Sequence, residues 1–321
     1  MVIKNLNDCR IEEIVDLSIK EYKEECYSLP ELPKINFNES LFHRTAIMIK
    51  NNPGVVALNN KNDVIGFISG YSSIDNFFGN CKGFFSPVYG HASSKENRIQ
   101  INTKLYQALA RILVDDNVYS HAVSIYAHNE DTVKSFFING FGMRCSDAIA
   151  TIENDSFKMK NNTQEYEIRE ISINEISSIL NLKNALLKHI NNSPTFMLNK
   201  KIDLQDFISL SEKRKSRFFT LKSENRIIGY LELGDKAETF VSEDPKTLNI
   251  VGAFLLPEFR GKGLYSELLC YTMNELAKEN YLRCGVDFES INPTANHFWL
   301  KYFKPYTYSL TRRIDERTNS L

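Results

Sequence analysis

The second half of the chain repeats the order of patterns found in the first half, and this repeat restricts the fold more than any other feature. Each half begins with a short apolar strand and a helix entry, continues through a hairpin strand and a Leu-Tyr helix, and later carries an Asn-led helix. The matching positions are Ile3 and Ile168, Ile11 and Ile176, Val64 and Ile227, Leu105 and Leu264, and Asn129 and Asn292. They lie about 160 residues apart, far beyond the period of a solenoid. The repeat therefore predicts a domain duplication.

Chain length agrees with two domains. Domains usually have roughly 100 to 200 residues, and this chain has 321. The polar segment 153–164 has the composition of a boundary, so we predict domains at 1–155 and 164–321, divided near residue 160. Strands and helices interleave in each copy, with second helices near 40–50 and 204–213. This order predicts an α+β fold around a mixed sheet.

Composition argues against several classes of protein. The formal net charge of -1 gives no field that would gather nucleic acid or an anionic membrane. No segment reaches the ~20 apolar residues that span a bilayer, and the N-terminus lacks a signal-peptide pattern, so we expect a cytoplasmic location. The six cysteines and six histidines show no ligand spacing, which predicts neither a disulfide framework nor a metal site.

A glycine-containing loop is the main candidate for chemistry. The apolar run 248–256 has strand length and stops at Pro257, and the sequence Arg260-Gly261-Lys262-Gly263 follows before a helical apolar pattern. The first N–H groups of a helix lack internal partners and carry the positive end of its dipole, so they bind phosphate. Glycines allow close approach, and the two cations add charge. The loop predicts a diphosphate site, with a tight turn as the alternative.

Two familiar nucleotide loops do not fit this segment. A Rossmann fingerprint would need a glycine where the chain has Ser266, and a P-loop would need a G-K-[ST] sequence that is missing here. Both interpretations are therefore disfavoured.

The segment Arg260–Tyr265 after an apolar strand resembles the R/Q-x-x-G-x-G/A signature of the GNAT superfamily of acyl-CoA-dependent N-acetyltransferases. Tyr265 stands where that signature ends in a small residue. Further on, the segment Asn292–Ala295 resembles the family's N-x-x-A helix after its next strand. The likeness is strong from 226 to 313 and extends weakly to the whole chain through the repeat.

The resemblance implies two tandem GNAT-like domains, each a mixed, mostly antiparallel β-sheet flanked by α-helices. It implies transfer of an acetyl group from acetyl-CoA to an amine of a small molecule or peptide, by direct attack in a ternary complex. It also implies that strand residues pair with the pantetheine arm, loop amides hold the diphosphate, and helix residues border the thioester. The implied cofactor-binding residues are Phe254, Leu255, Leu256, Arg260, Gly261, Lys262, Gly263, Leu264, Tyr265, Ser266, Asn292, Asn296 and Trp299.

The sequence offers several candidates for the acid and the base of the reaction. Members of the family commonly use an aromatic hydroxyl to protonate the departing thiolate, but Trp299 occupies that position and its indole cannot do so. We predict Tyr302, with Tyr265, Tyr306 and Tyr308 as alternatives by position. For the base that takes the amine proton, Glu232, Asp287 and Glu289 qualify by position. The predicted catalytic residues are Glu232, Glu289 and Tyr302.

The N-terminal copy lacks the glycine loop. Its equivalent segment, 92–104, contains no glycine, so close approach of a phosphate is hindered and we predict a degenerate domain. Two other functions stay open: an acyl-CoA-binding module without transfer activity, and a tandem GNAT peptidyltransferase that uses aminoacyl-tRNA. The alternation of Lys with Glu disfavours the second, because a tRNA-binding protein needs a basic stripe. We expect a monomer or homodimer that binds neither nucleic acid nor membrane.

Overall fold

The computed structural model describes residues 1–6, 9–34, 37–153, 157 and 166–320, with only the backbone at 319 and 320. These residues form two compact units. The first comprises Met1–Ser146 with Pro305–Leu321, and the second comprises Asp147–Lys304. The predicted division near residue 160 lies outside the described residues.

The described residues of the first unit form two groups of strands and four α-helices. Its helices are α1 (Ile11–Ser28), α2 (Asn38–Asn51), α3 (Arg98–Asp115) and α4 (Glu130–Ile138). Its strands are β1 (Val2–Asn5), β2 (Gly54–Leu58), β3 (Val64–Ser69), β4 (Tyr71–Ile74), β5 (Lys82–Ser86), β6 (His91–Ser93) and β7 (Val118–Tyr126). Strands β1, β2, β3 and β6 form an antiparallel sheet, while β4 and β7 flank β5, with β5 and β7 parallel.

The second unit is built on strands in the order β8-β13-β12-β11-β10-β9. The strands are β8 (Gly142–Thr151), β9 (Tyr166–Ile171), β10 (Arg217–Ser223), β11 (Arg226–Gly234), β12 (Thr247–Leu255) and β13 (Arg283–Glu289). The helices are α5 (Leu180–Asn191), α6 (Leu204–Lys213), α7 (Leu264–Lys278) and α8 (Pro293–Trp299), with short 3-10 helices at Ile173–Ile179, Phe240–Glu243 and Pro257–Phe259. From β9 to β12 the strands are antiparallel, and β12 and β13 are parallel.

Strand alternation divides the side chains of the second unit between two faces of its sheet. Helix α7 buries Leu269, Met273 and Leu276, which have the i, i+4, i+7 spacing of one helix face, against one side. Residues Tyr230 and Phe254 lie in a separate cluster on the other side, with α5 and α6. We refer to the side of the sheet away from α7 as the α5 face.

The predicted α+β fold is confirmed, including the second helices α2 and α6. The duplication is visible in a repeated helix cap. Asn129 precedes α4 and its side chain accepts a hydrogen bond from the N–H of Thr132, while Asn292 precedes α8 and accepts one from the N–H of Ala295. An Asn at this position satisfies an N–H that the helix itself leaves unpaired. The two copies therefore share local chemistry as well as strand order.

The compact units differ from the predicted ranges 1–155 and 164–321 in their last strands. Strand β8 begins in the first copy but its residues from Asp147 onward belong to the second unit. The closing strand of the second copy, β14 (Lys304–Arg313), belongs to the first unit, where it pairs antiparallel with β7 from Thr307↔Tyr126 to Arg313↔Ser120. The two copies thus exchange their closing strands, and a 3-10 helix (Glu316–Ser320) follows β14.

None of the described helices combines the length and the apolar character required to cross a membrane.

Candidate functional site

Strands β12 and β13 separate part of the way along their length. Their parallel ladder joins Thr247↔Arg283 to Ile250↔Val286, whereas β12 continues to Leu255 and β13 to Glu289. The backbone groups of β12 past Ile250 that point toward β13 therefore lie beyond this ladder. A strand edge of this kind can accept the amide groups of an extended ligand. We call this opening the wedge.

A bulge lies in β12 at the start of the wedge. Glu232 pairs with Gly252 and Leu233 pairs with Ile250, so Val251 is the extra residue. A bulge bends the strand and re-aims its backbone groups. Gly252 is required here, because a Cβ at this position would lie 2.7 Å from Oε2 of Glu232. The wedge therefore starts beside the carboxylate of Glu232.

The predicted glycine loop connects β12 to α7 as expected. Gly261 and Gly263 have φ values of +78° and +80°, which L side chains rarely adopt. A Cβ at either position would meet no atom of the described residues within 4 Å, so backbone conformation and not crowding requires glycine. Gly263 caps the N-terminus of α7, and Leu264, Tyr265 and Ser266 form its first turn. The unpaired N–H groups of that turn are available to an anion.

The two cations of the loop lie in different environments. Nε of Arg260 donates to the carbonyl of Leu255 at 3.0 Å, and its guanidinium lies 5.3 Å from the centre of the Phe254 ring. Partial burial lowers the pKa of Arg260 from its ordinary value. Lys262 is exposed, with Nζ 5.4 Å from the centre of the Phe259 ring. Arg260 therefore fixes the junction between strand and loop, and Lys262 presents a solvated charge.

The Asn residues of α8 have structural partners. Oδ1 of Asn292 accepts from Oγ1 of Thr294 at 2.8 Å as well as capping the helix, and Nδ2 of Asn296 donates to the carbonyl of Ser290 at 3.1 Å. These bonds fix the turn between β13 and α8. The sequence predicted a helix led by an Asn after the strand that follows the glycine loop, and α8 follows β13 in this way.

Trp299 and Tyr302 belong to an aromatic cluster. The centre of the Trp299 ring lies 4.9 Å from that of Phe298 and 6.2 Å from that of Tyr265. The Tyr302 ring stacks on the Phe157 ring, with 5.8 Å between their centres. Tyr265 donates its hydroxyl to the carbonyl of Tyr230 at 3.2 Å, and burial raises its pKa. These contacts give Tyr265 and Trp299 packing roles beside the loop.

Glu232 lies on the α5 face with no exposed surface. Nζ of Lys183, on α5, contacts its Oε2 at 2.9 Å, and Oγ of Ser216 donates to its Oε1 at 2.9 Å. The side chain of Lys183 is itself only 7% exposed. A buried carboxylate needs such partners, because an unpaired charge in the interior is very costly. Sequence reasoning missed Lys183, although it lies one helical turn after Ile179 on a buried helix face.

Asp287 carries the most perturbed carboxyl near the wedge. It follows Val286, the last residue of the ladder, and lies on the α5 face because its neighbours Val286 and Phe288 pack on the α7 side. Burial and the negative charge of Glu238 raise its pKa from 3.8 to about 6, with a smaller contribution from Glu289. Arg214 opposes this shift. The carboxyl is therefore ready to exchange a proton near neutral pH.

The structure thus brings together most of the predicted site. Glu232, Asp287 and Glu289 share the α5 face beside the wedge, and the loop 260–266 lies at its far end on the same chain segment as β12. Tyr302 lies apart from these carboxylates, in the cluster packed on the α7 side.

The equivalent place in the first unit is filled by its own side chains. His91 on β6 contacts the carbonyl of Ser124 on β7 at 2.8 Å; burial lowers its pKa to about 4, so the neutral ring donates from Nε2. At the start of α3, Nη2 of Arg98 donates to the carbonyl of Ser93 and to Oε1 of Glu21, both at 2.7 Å. Nδ2 of the cap residue Asn129 donates to the other oxygen of Glu21 at 2.8 Å. The first residue of α3 and the cap residue of α4 therefore share one internal carboxylate, that of Glu21.

Comparison with known proteins gives a family match within the second unit. A family model described as "Acetyltransferase (GNAT) family" matches residues 184–303, a segment that contains the wedge, the loop and α8. No curated protein matches the chain by sequence.

Solved structures resemble the chain at low sequence identity. A GCN5-related N-acetyltransferase from Sphaerobacter thermophilus superposes with a TM-score of 0.61 at 9% identity, covering 97% of this chain and 95% of that one. A GCN5-related glucosamine N-acetyltransferase region of a fungal multi-domain enzyme gives 0.53 at 11% identity, covering 97% of this chain and 38% of that one. A tandem GNAT protein from the clavulanic acid pathway gives 0.49 at 11% identity, covering 97% and 98%. Residues 184–303 therefore match the model of the GNAT acetyltransferase family, and the chain has the fold of GNAT N-acetyltransferases.

Proposed function

We propose that this protein transfers an acetyl group from acetyl-CoA to the amine of a small molecule or peptide. The observation that carries the proposal is the wedge between β12 and β13, followed at once by two glycines of positive φ at the N-terminus of α7. A strand edge suits the amide-containing pantetheine arm, and a helix N-terminus suits the diphosphate. Both parts of one long ligand find complementary groups along a single chain segment.

Individual residues have distinct proposed roles in holding acetyl-CoA. Phe254 and Leu255 offer backbone groups to the pantetheine arm. Leu256 offers only the second lone pair of its carbonyl, because its N–H donates to the carbonyl of Ile228 at 2.9 Å and its carbonyl accepts from the N–H of Phe259 at 3.0 Å. The amides from Gly261 to Ser266 hold the diphosphate, and Lys262 adds an exposed positive charge.

The proposed chemistry is direct attack in a ternary complex. The amine nitrogen attacks the thioester carbonyl, its proton passes to a carboxylate, the C–S bond breaks, and the thiolate of CoA leaves and is protonated. We propose Asp287 as the carboxylate that accepts the proton, since its raised pKa of about 6 makes it a better base than an ordinary Asp. Tyr302 stays our proposal for the proton donor to the thiolate.

Glu232 and Glu289 have supporting roles in this proposal. The carboxylate of Glu232 is bound by Lys183 and Ser216, so it acts as a positioning residue that fills the space over Gly252. Glu289 lies two residues beyond Asp287 on the same face and helps to raise its pKa. The proton therefore has one preferred acceptor among the three carboxylates.

The rate of transfer should depend on the ionisation of Asp287. A group with a raised pKa is protonated, and inactive as a base, at pH values where an ordinary Asp is ionised. We expect kcat/KM, corrected for ionisation of the amine itself, to fall as the pH is lowered through about 6. The assay follows release of the CoA thiol and confirms the acetylated amine by mass.

Two outcomes of this assay would count against the proposal. A fall of kcat/KM only near pH 3.8, the ordinary pKa of an Asp, would exclude Asp287 as the base. Tight binding of acetyl-CoA with no transfer to any amine would instead support a binding module without catalysis, which the presence of Trp299 permits.

For the first unit we propose a structural or substrate-shaping role without acyl-CoA. The contact of His91 with Ser124 and the pair of Arg98 with Glu21 support this proposal, because they use the groups that would face a ligand. The protein should therefore bind one acetyl-CoA per chain.

A further inference from the structure

Asn249 on β12 has a buried polar group that the fold leaves unsatisfied. The residue is 4% exposed, and its Nδ2 has no hydrogen-bond acceptor among the residues that the structure describes. Buried polar atoms in native proteins are almost always paired, and leaving one unpaired costs about 1 to 3 kcal/mol. An amide of this kind suggests a partner that arrives from outside the chain.

The position of Asn249 places this amide at the start of the wedge. Asn249 pairs with Gly285, one step before the ladder ends at Ile250↔Val286. Its carboxamide lies against Gly285 through Oδ1, which a Cβ at that position would approach to 2.3 Å. Gly285 therefore leaves room for the amide over β13.

The same amide shares a face with the proposed base. Along β13, Cys284, Val286 and Phe288 pack on the α7 side, so Gly285 and Asp287 face the other way. Two residues of a strand span about 7 Å, so the amide over Gly285 and the carboxyl of Asp287 can contact two parts of one small molecule. Asp287 would receive the proton of the amine, and Asn249 offers two N–H donors beside it.

We propose that Asn249 donates a hydrogen bond to an oxygen of the acceptor, and that the acceptor is an amine with a hydroxyl or carbonyl oxygen close to its nitrogen. Amino alcohols, amino sugars and amino acid amides have this chemistry, and plain alkylamines do not. The inference rests on the proposed function and names the substrate class for that site. A site with a buried donor discriminates against ligands that leave it unpaired.

Matched amines test this inference. Ethanolamine and propylamine differ by a hydroxyl in place of a methyl, and glycinamide and isobutylamine differ by a carboxamide in place of a branched alkyl group. We expect the wild-type preference for the oxygen-bearing member, measured as a ratio of kcat/KM, to exceed that of Asn249→Leu by about tenfold or more. Comparing the two ratios cancels the intrinsic reactivity of the amines. Asn249→Ala provides a second variant should the leucine not be accommodated.

Thermal unfolding gives a readout that does not need the acceptor. An unpaired amide stabilises nothing, so Asn249→Leu should unfold at the same temperature as the wild type or higher. The matched control is Asn102→Leu: Asn102 is 5% exposed, but its Nδ2 donates to Oγ1 of Thr132 at 3.0 Å. This variant should unfold at a lower temperature and keep the wild-type preference.

The outcomes separate the inference from the proposed function. Equal preference ratios in the wild type and both Asn249 variants would overturn the inference while leaving acetyl transfer established. A drop in the unfolding temperature of Asn249→Leu as large as that of Asn102→Leu would also overturn it, since the amide would then have a structural partner. Absence of transfer to all four amines, with acetyl-CoA bound, would contradict the proposed function itself.

Discussion

Asp287→Asn should lower kcat/KM for acetyl transfer by about 10²- to 10⁴-fold, the usual contribution of a general base. The amide has nearly the same shape as the carboxyl but cannot accept the proton of the attacking amine. Acetyl-CoA affinity should stay unchanged, because the proposed binding groups lie on β12 and the loop. Steady-state kinetics and calorimetry on the same preparation measure both quantities.

The same variant should have a distinctive effect on stability. A carboxyl whose folded pKa is raised binds its proton more tightly in the native state, so the native protein loses stability as the pH rises from about 4 to about 6. Asp287→Asn lacks this loss, and its stability relative to the wild type should grow across that range and then level off. Denaturant unfolding at several pH values measures the difference.

Glu238→Gln is the matched control for Asp287. Burial is the largest cause of the raised pKa of Asp287, and the charge of Glu238, which this variant removes, is the second largest. The pH profile of the rate should therefore move to lower pH, while the rate at high pH is largely kept. A loss of rate in Glu238→Gln equal to that in Asp287→Asn, or full activity in Asp287→Asn, would show that Asp287 is not the base.

Lys183→Met should destabilise the protein by about 3 to 5 kcal/mol. Methionine keeps most of the apolar stem of lysine but removes the charge that contacts Glu232 at 2.9 Å. Glu232 has no exposed surface, so its carboxylate would remain buried with Ser216 as its one other hydrogen-bond partner among the described residues. Removing one member of a buried ion pair has a cost of this size because the other charge stays uncompensated.

A double variant distinguishes this cause from a simple packing defect. Lys183→Met combined with Glu232→Gln has no buried charge, so it should recover most of the lost stability. Equal destabilisation in the single and double variants would mean that the loss comes from packing. A single-variant loss below about 1 kcal/mol would place the pair in a solvated setting, contrary to its burial.

Local features of the site were predictable from the sequence, and features that depend on distant contacts were not. The glycine loop could be predicted because Gly261 and Gly263 directly precede the apolar pattern of α7 in sequence. Glycine is also the residue that most readily adopts the positive φ found at both positions. Glu232 was found by its place near a strand end. Its partner Lys183 was not, because a lysine on an amphipathic helix is more often solvated, and only the packing of α5 on β11 brings the two together.

The exchange of closing strands could not be predicted for a related reason. Strands β8 and β14 occupy equivalent places in the two copies. Their sequence patterns are therefore compatible with each strand belonging to its own copy or to the other copy. The raised pKa for which we propose Asp287 as the base likewise depends on burial and on the charge of Glu238, which lies far away in sequence. The stacking of Tyr302 on Phe157 joins residues on either side of the predicted division.

Calorimetric titration of acetyl-CoA tests the central claim most directly. The wild type should bind one equivalent per chain, and the double variant Gly261→Glu, Gly263→Glu should bind none, because it places bulk and negative charge beside the proposed diphosphate site. Gly142→Glu is the matched control: a Cβ there would also meet no described atom within 4 Å, and its φ is not positive, so binding should be kept. Undiminished binding in the double variant would contradict the assignment of the acyl-CoA site to the wedge and loop of the second unit.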